Sequence, residues 1–493
     1  MLSRSLHNAC DRLLQPIARL SERPRLVALL LLLFFLAQLA VIAVRQPWQN
    51  PNTWQLGFEV GRIARNIALG YGYGSPFVVL PGDVPPAIAA SSTDSRSATA
   101  PPAVVVNHPP IPPTAYVTPP IVLVWAAMFA LFGPYSPASI FVLLALQCGF
   151  MTLAVFLLHR TLATTLGPRA GGLGLVLLIT YPLSWFGTQD MRGEILFLLF
   201  LSLSLCASLE YLRGRRIAHL AVHAAGSALA VLTMPKTLFF FIAYHIWMMV
   251  RLRRDAPATA PTASAGRPSV LWQYLAAVVL AALLSWGPWI VFASINFQRP
   301  VLFGTGLSMQ FWLGNNPTVP ADPHRSLYAN FPYENQAERS LVLSLGEMEY
   351  SRLCWKRFFD FVRDQPLMYV WLTARRTFAY WVFNPDYLRP TRLLLIPWYL
   401  AYLALAAAGL YRTGWRNWNP LEQAIVIFSA FFPIVHFLSQ CNVYRYRSPH
   451  ETLLVVLVAS VAFRFCACAE TPNQQPPSAP TAERPPSASR SVR

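Results

Sequence analysis

The sequence predicts an all-α polytopic membrane protein with about ten transmembrane helices, plus juxtamembrane helices in two large non-cytoplasmic loops. Three observations predict it. Of the 493 residues, 55% are hydrophobic and only 12% charged, with a mean hydropathy of +0.41, whereas a soluble domain carries about 25% charged residues. Apolar runs of about 20 residues recur along the chain, enough for a helix to cross the ~30 Å hydrocarbon core. Arginine, finally, concentrates in the short joints between those runs. Spans of this kind must be helical, because lipid offers no partner for an open sheet edge.

The elements follow in order. Arg4, Arg12, Arg19, Arg23 and Arg25 precede the apolar run 26–44. The basic region is too long for a cleaved signal, and no small-residue cleavage site follows, so 26–44 is expected as a first span with a cytoplasmic N-terminus. Segment 119–133, PPIVLVWAAMFALFG, is apolar but short of a full span. If it crossed, Arg160, Arg169, Arg213, Arg215, Arg216 and Arg251 would all fall outside. Placed in the outer interface instead, it returns every Arg-rich joint to the cytoplasm, as the positive-inside bias requires. The remaining spans are then 138–158, 171–187, 195–212, 217–233, 238–250, 271–295, 393–411, 424–438 and 452–463.

Residues 1–468 therefore read as one transmembrane domain with outer loops at about 45–137 and 296–392, followed by a disordered cytoplasmic tail, 469–493, rich in Pro, Ser and Ala. Residues 82–119 read as an extended connection. The segment EMEYSRLCWKRFFDFVRDQP reads as an amphipathic helix stopped by Pro366, its apolar face resting on a span end or the interface. The net charge of +18 belongs to the Arg-rich joints and their contact with headgroups. No basic globular module is present, so nucleic acid is excluded as a partner. The seven cysteines show no metal-ligand spacing beyond Cys466-Ala-Cys468 near a membrane exit; Cys354 and Cys441 alone could meet on the outer face.

Ionisable residues at the outer span ends are the candidates for chemistry, because desolvating them is costly without a partner or a wet cavity. Glu59 lies in WQLGFEVGRIARNIALGYGYG, with Glu59, Arg62 and Asn66 on one face of a short helix that the glycines terminate; a solvated Glu–Arg pair is the plainer reading. Asp190, Arg192 and Glu194 open the fourth span, where acids also stabilise a helix N-terminus. Lys236 follows Pro235 at a tight outer turn. Arg445 and Arg447 enter the last span beside His436, His450 and Glu451, or else touch headgroups.

These motifs, in this order, resemble the GT-C superfamily of membrane glycosyltransferases, in particular the bacterial branch related to protein O-mannosyltransferases and the aminoarabinose transferase of lipid A. The resemblance covers most of residues 26–465. It rests on FEVGRIARNIALGYGYGSPF, the Pro-Pro segment ending LFG, LTMPKTL, WGPWIVFASINF leading to FWLGNNP, GEMEY and the final RYRSP. It implies transfer of a sugar from a polyprenyl-phosphate carrier, with inversion, to a lipid, glycan or protein acceptor at the periplasmic face of a bacterial inner membrane. Glu59 stands at the family's acidic position, where many relatives have Asp, and would be the catalytic base. Lys236, Arg445 and Arg447 would bind the donor phosphate. Asp190, Arg192 and Glu194 would orient the acceptor or a divalent cation. Some relatives carry a second acid just before the Pro-Pro helix; this chain has Val117 and Thr118 there, which leaves metal dependence open. A lipid or glycan transporter and an inactive scaffold are the competing readings; neither an inverted repeat nor paired broken spans are visible.

Overall fold

The computed structural model describes residues 21–49, 58–78, 80, 111–186, 188, 193–255, 270–319, 330–381, 395–414, 417–439 and 443–468. Among these no β-strand occurs; one isolated bridge joins Gly74 and Pro113. The described residues are all-α. The first long helices are α1 (Pro24–Arg45), α4 (Pro137–Leu166), α5 (Pro168–Thr180) and α6 (Gly193–Gly214). Then come α7 (Ile217–Thr233), α8 (Leu238–Arg254) and α9 (Val270–Phe297). The C-terminal set is α14 (Leu395–Thr413), α15 (Pro420–Phe431), α16 (Ile434–Ser439) and α17 (Val443–Cys468). Between them lie α2 (Phe58–Ala68), α3 (Pro119–Phe132), α10 (Gly306–Gly314), α11 (Gln336–Leu345), α12 (Glu347–Asp364) and α13 (Pro366–Trp381). Each expected apolar run overlaps a helix, but 171–187 runs past the end of α5 at Thr180 and 424–438 covers both α15 and α16. Among the described residues five helical segments are long and apolar enough to cross a membrane: α1, α4, α6, α9 and the α15–α16 segment.

The bundle is assembled from antiparallel neighbours. Helix α4 folds back through Gly167 onto α5, and α6 folds back through Arg215 and Arg216 onto α7. One large apolar core joins α1, α4–α9, α14, α15 and α17. Helix α9 leans mainly on α7 and buries only Tyr274, Trp289 and Ala293, leaving Leu280, Leu283 and Leu284 57–70% exposed. An apolar surface of that extent suits a lipid surrounding and not water. Helix α3 has 14 residues, about 21 Å of rise, and packs chiefly against α2.

The expected amphipathic helix is α12, and Pro366 both ends it and opens α13. Its apolar face differs from expectation. Tyr350, Cys354 and Phe358 turn toward α10 and α11, and Phe77, Met309, Leu313 and Val342 complete the cluster. The apolar α10, GLSMQFWLG, needs cover of its own, so the two loop helices bury each other. Burial pushes the Cys354 thiol up to about 12; Cys441 lies outside the described residues, as do residues 82–110 and the tail from 469. The final helix begins earlier than its apolar run, taking in Arg447 and Pro449.

Candidate functional site

A cavity of about 600 Å³ lies where several helices begin. Glu59 in the first turn of α2, Thr118 capping α3 and Glu194 in the first turn of α6 line it, together with Gly306 at the start of α10. Lys236 joins them from the single 3-10 turn Pro235–Thr237 between α7 and α8. Of the residues the sequence singles out, three therefore share one cavity: Glu59, Glu194 and Lys236. Asp190 and Arg192 lie outside the described residues.

Local sequence explains how each is held. Helix α2 is anchored from behind, with Ile63 and Ala64 fully buried beside α3. The Asn66 amide Nδ2 donates to the carbonyls of Gly74 (3.1 Å) and Ser75 (3.3 Å). Arg62 Nη1 donates to the Pro76 carbonyl at 3.0 Å, and its guanidinium lies 4.4 Å from the Tyr333 ring centre. The plainer reading, a solvated Glu59–Arg62 pair, is therefore corrected: Arg62 is 5% exposed, and Asn66 beside it is fully buried. The loop after α2 turns sharply at Gly70 (φ +84°), and its carbonyls need donors that the helix supplies. Lys236 is presented by a turn pinned through Thr237, whose buried Oγ1 donates to the Met234 carbonyl at 2.8 Å.

The opposite wall is a strap, residues 300–307, laid against residues 115–118 of the first loop. The Thr305 amide donates to the Ala115 carbonyl at 3.0 Å, and Trp289 Nε1 to the Phe303 carbonyl at 2.5 Å. Gly304 and Gly306 permit this approach. A Cβ at either would sit 2.8 Å from a backbone carbonyl oxygen, of Ala115 and Tyr116 respectively. Behind the lining residue Val117, the Tyr73 hydroxyl donates to the Val117 carbonyl at 2.8 Å; burial, with Glu347 nearby, holds its phenol well above the ordinary range and therefore neutral.

The cavity has two chemical sides. Residues at the starts of four helices line it, and helix N-termini carry unpaired amides and partial positive charge; the Lys236 ammonium stands with them, beside the two carboxylates Glu59 and Glu194. On the other side Phe239, Leu302 and Leu307 are 53%, 62% and 40% exposed while lining the same space. An apolar flank thus opens next to a polar floor. Gln310 and Ser351 add neutral hydrogen-bonding groups.

Arg447 does not line this cavity. It is buried with Glu451, which its Nε contacts, while its Nη1 donates to the Tyr380 carbonyl at 3.2 Å. The Tyr181 hydroxyl donates to Glu451 Oε2 at 2.5 Å. Arg445 falls on α17, but its side chain is outside the description. Among the described residues no group of three or more His, Cys, Asp and Glu is placed to hold a metal ion. The strap residues Gly304, Thr305 and Gly306 are what sequence reasoning missed; a threonine between two glycines after a long apolar helix was the available signal. No protein-family model, curated protein or solved structure matches the chain.

Proposed function

We propose that the chain is a multi-pass membrane glycosyltransferase that moves a sugar from a polyprenyl-phosphate donor to an acceptor hydroxyl, with inversion, at the non-cytoplasmic face of a bacterial inner membrane. The observation that carries the reading is the juxtaposition, in one cavity, of Glu59, Glu194 and Lys236 with the exposed apolar flank of Phe239, Leu302 and Leu307. A polyprenyl chain gains about 0.8 kcal/mol per buried CH2 in lipid, so the donor stays in the bilayer and offers only its headgroup. The apolar flank gives that chain an entrance, and the polar floor suits the phosphate.

In this reading the acceptor oxygen attacks the anomeric carbon as its bond to the phosphate oxygen breaks. Glu59 takes the acceptor's proton. Lys236 and the converging helix N-termini balance the charge gathering on the departing phosphate. Glu194 orients the acceptor or a divalent cation, together with Asp190 and Arg192 on the segment preceding α6, and Arg445 is a further candidate for the donor phosphate. Arg447, occupied with Glu451, acts as a structural partner and leaves the phosphate to Lys236. Ten spans, with both termini and every Arg-rich joint in the cytoplasm, bring this cavity to the outer side; that topology rests on the positive-inside bias.

The test is transfer in isolated membranes from a labelled polyprenyl-phosphate sugar. Glu59→Gln is expected to lower the rate at least about 100-fold, and Lys236→Ala by about 100-fold. No transfer by the wild-type protein would favour a transporter or an inactive scaffold; full activity of Glu59→Gln would remove the mechanism. Mass spectrometry of envelope lipids from cells lacking the protein would name the acceptor.

A further inference from the structure

Glu347, the first residue of α12, is partly buried, and its carboxylate has no part in the chemistry above. Its Oε2 accepts from Thr114 Oγ1 at 2.5 Å, and its Oε1 accepts from the Ala115 amide at 2.8 Å and from Thr305 Oγ1. One side chain thereby holds three segments that are remote in sequence: the first outer loop, the 300–307 strap and the start of α12. Thr305 lines the cavity, as do the neighbours Tyr116, Gly304, Gly306 and Met348.

We infer that Glu347 is a positioning residue, a latch whose hydrogen-bond acceptors set the spacing between the two outer loops and so the width of the cavity wall. It touches neither sugar nor phosphate. The latch works through acceptor geometry and does not need a negative charge. A neutral carboxamide in the same place can accept from the Ala115 amide and Thr305 Oγ1 through its oxygen, and donate to Thr114 Oγ1 through its nitrogen. Burial, outweighing the three hydrogen bonds, pushes the Glu347 carboxyl up, consistent with a site that tolerates the neutral form. The Tyr116 amide, which donates to Thr114 Oγ1 at 3.0 Å, extends the latch into the residue that packs against Gly306.

The inference rests on the cavity being the functional site, and its test has a readout independent of transfer. Ser351→Cys, in a background with the native cysteines replaced, reports access to the cavity through its labelling rate with a hydrophilic maleimide in detergent. Glu347→Ala, which removes all three acceptor contacts, is expected to speed labelling about tenfold, or about 1.4 kcal/mol, while Glu347→Gln stays within about twofold of the parent. If Glu347→Ala does not fold, Thr305→Val removes one donor and should give a smaller increase. In the transfer assay Glu347→Ala should raise the KM for the polyprenyl-phosphate sugar about tenfold with little change in kcat, and Glu347→Gln should restore it. Equal labelling of all variants would overturn the latch, and so would a Glu347→Gln protein as impaired as Glu347→Ala, since the charge would then be what matters. Absence of transfer by the wild-type protein would remove the glycosyltransferase reading and leave the labelling result standing.

Discussion

The guanidinium of Arg447 lies 4.1 Å from the ring centre of Tyr399, which ties the final helix α17 to α14. The same side chain meets Glu451 one turn further along α17, so it is stacked, paired and buried together. A buried pair adds little when compared with a well-packed apolar substitute, yet removing one member strands the other. Arg447→Ala should therefore destabilise the protein by about 3 kcal/mol or more, as should Glu451→Ala. Melting temperatures in detergent check this, and a double variant less impaired than the sum of the two singles would confirm the coupling. Melting unchanged by Arg447→Ala would return the residue to the set of candidate ligand-binding cations.

Close backbone contact at the strap makes a second prediction. Gly304→Ala places a methyl group 2.8 Å from the Ala115 carbonyl oxygen, and Gly306→Ala does the same against Tyr116. Neither neighbour is the far end of a flexible side chain, so the strap itself must move. The expected cost is about 1–3 kcal/mol for each variant. Transfer should fall more for these variants than for Gly149→Ala, where no atom lies within 4 Å of the added Cβ. Equal behaviour of the three would show that the wall is not set by this contact.

Glu347 gives a pH dependence whose sign is fixed by the direction of its shift. Burial raises its folded-state carboxyl above the ordinary glutamate value. A group raised in the folded state contributes stability that is present below the unfolded pKa and lost as pH rises through the folded pKa. The wild-type protein should thus lose melting temperature relative to Glu347→Gln as pH increases from the carboxylate range upward. The difference between the two should be smallest at low pH and level off above the folded-state pKa. A difference that does not vary with pH would mean that the carboxyl does not titrate in that window.

Much of the helix framework was legible because apolar runs have a length that only a span or a buried helix can use, and α1, α4, α6 and α9 fall on theirs. The co-location of Glu59, Glu194 and Lys236 was partly legible, since all three sit at the ends of such runs. What was not legible depends on packing between segments remote in sequence. Nothing local to Arg62 or Asn66 announces that a following loop will draw both inward to satisfy its carbonyls. Nothing local to Glu347 announces Thr114 or Thr305. The apolar stripe of α12 was visible, but whether α10, a span or lipid would cover it could not be read from the stripe alone.

Topology supplies the remaining prediction, and it can be tested without any substrate. Thr164, on the exposed side of α4 near its end, precedes the Arg-bearing joint at Gly167, whereas Leu343 is 42% exposed on α11. If the Arg-rich joints are cytoplasmic, Thr164→Cys should resist an impermeant maleimide added to intact cells and react once the inner membrane is opened. Leu343→Cys should show the opposite order, reacting after outer-membrane permeabilisation alone. Both carry neighbours that tolerate a small thiol, since neither side chain is buried. Labelling of Thr164→Cys from outside would invert the bundle. Lys236 and Glu59, with the cavity they line, would then face the cytoplasm, where soluble nucleotide sugars could compete with a lipid-linked donor.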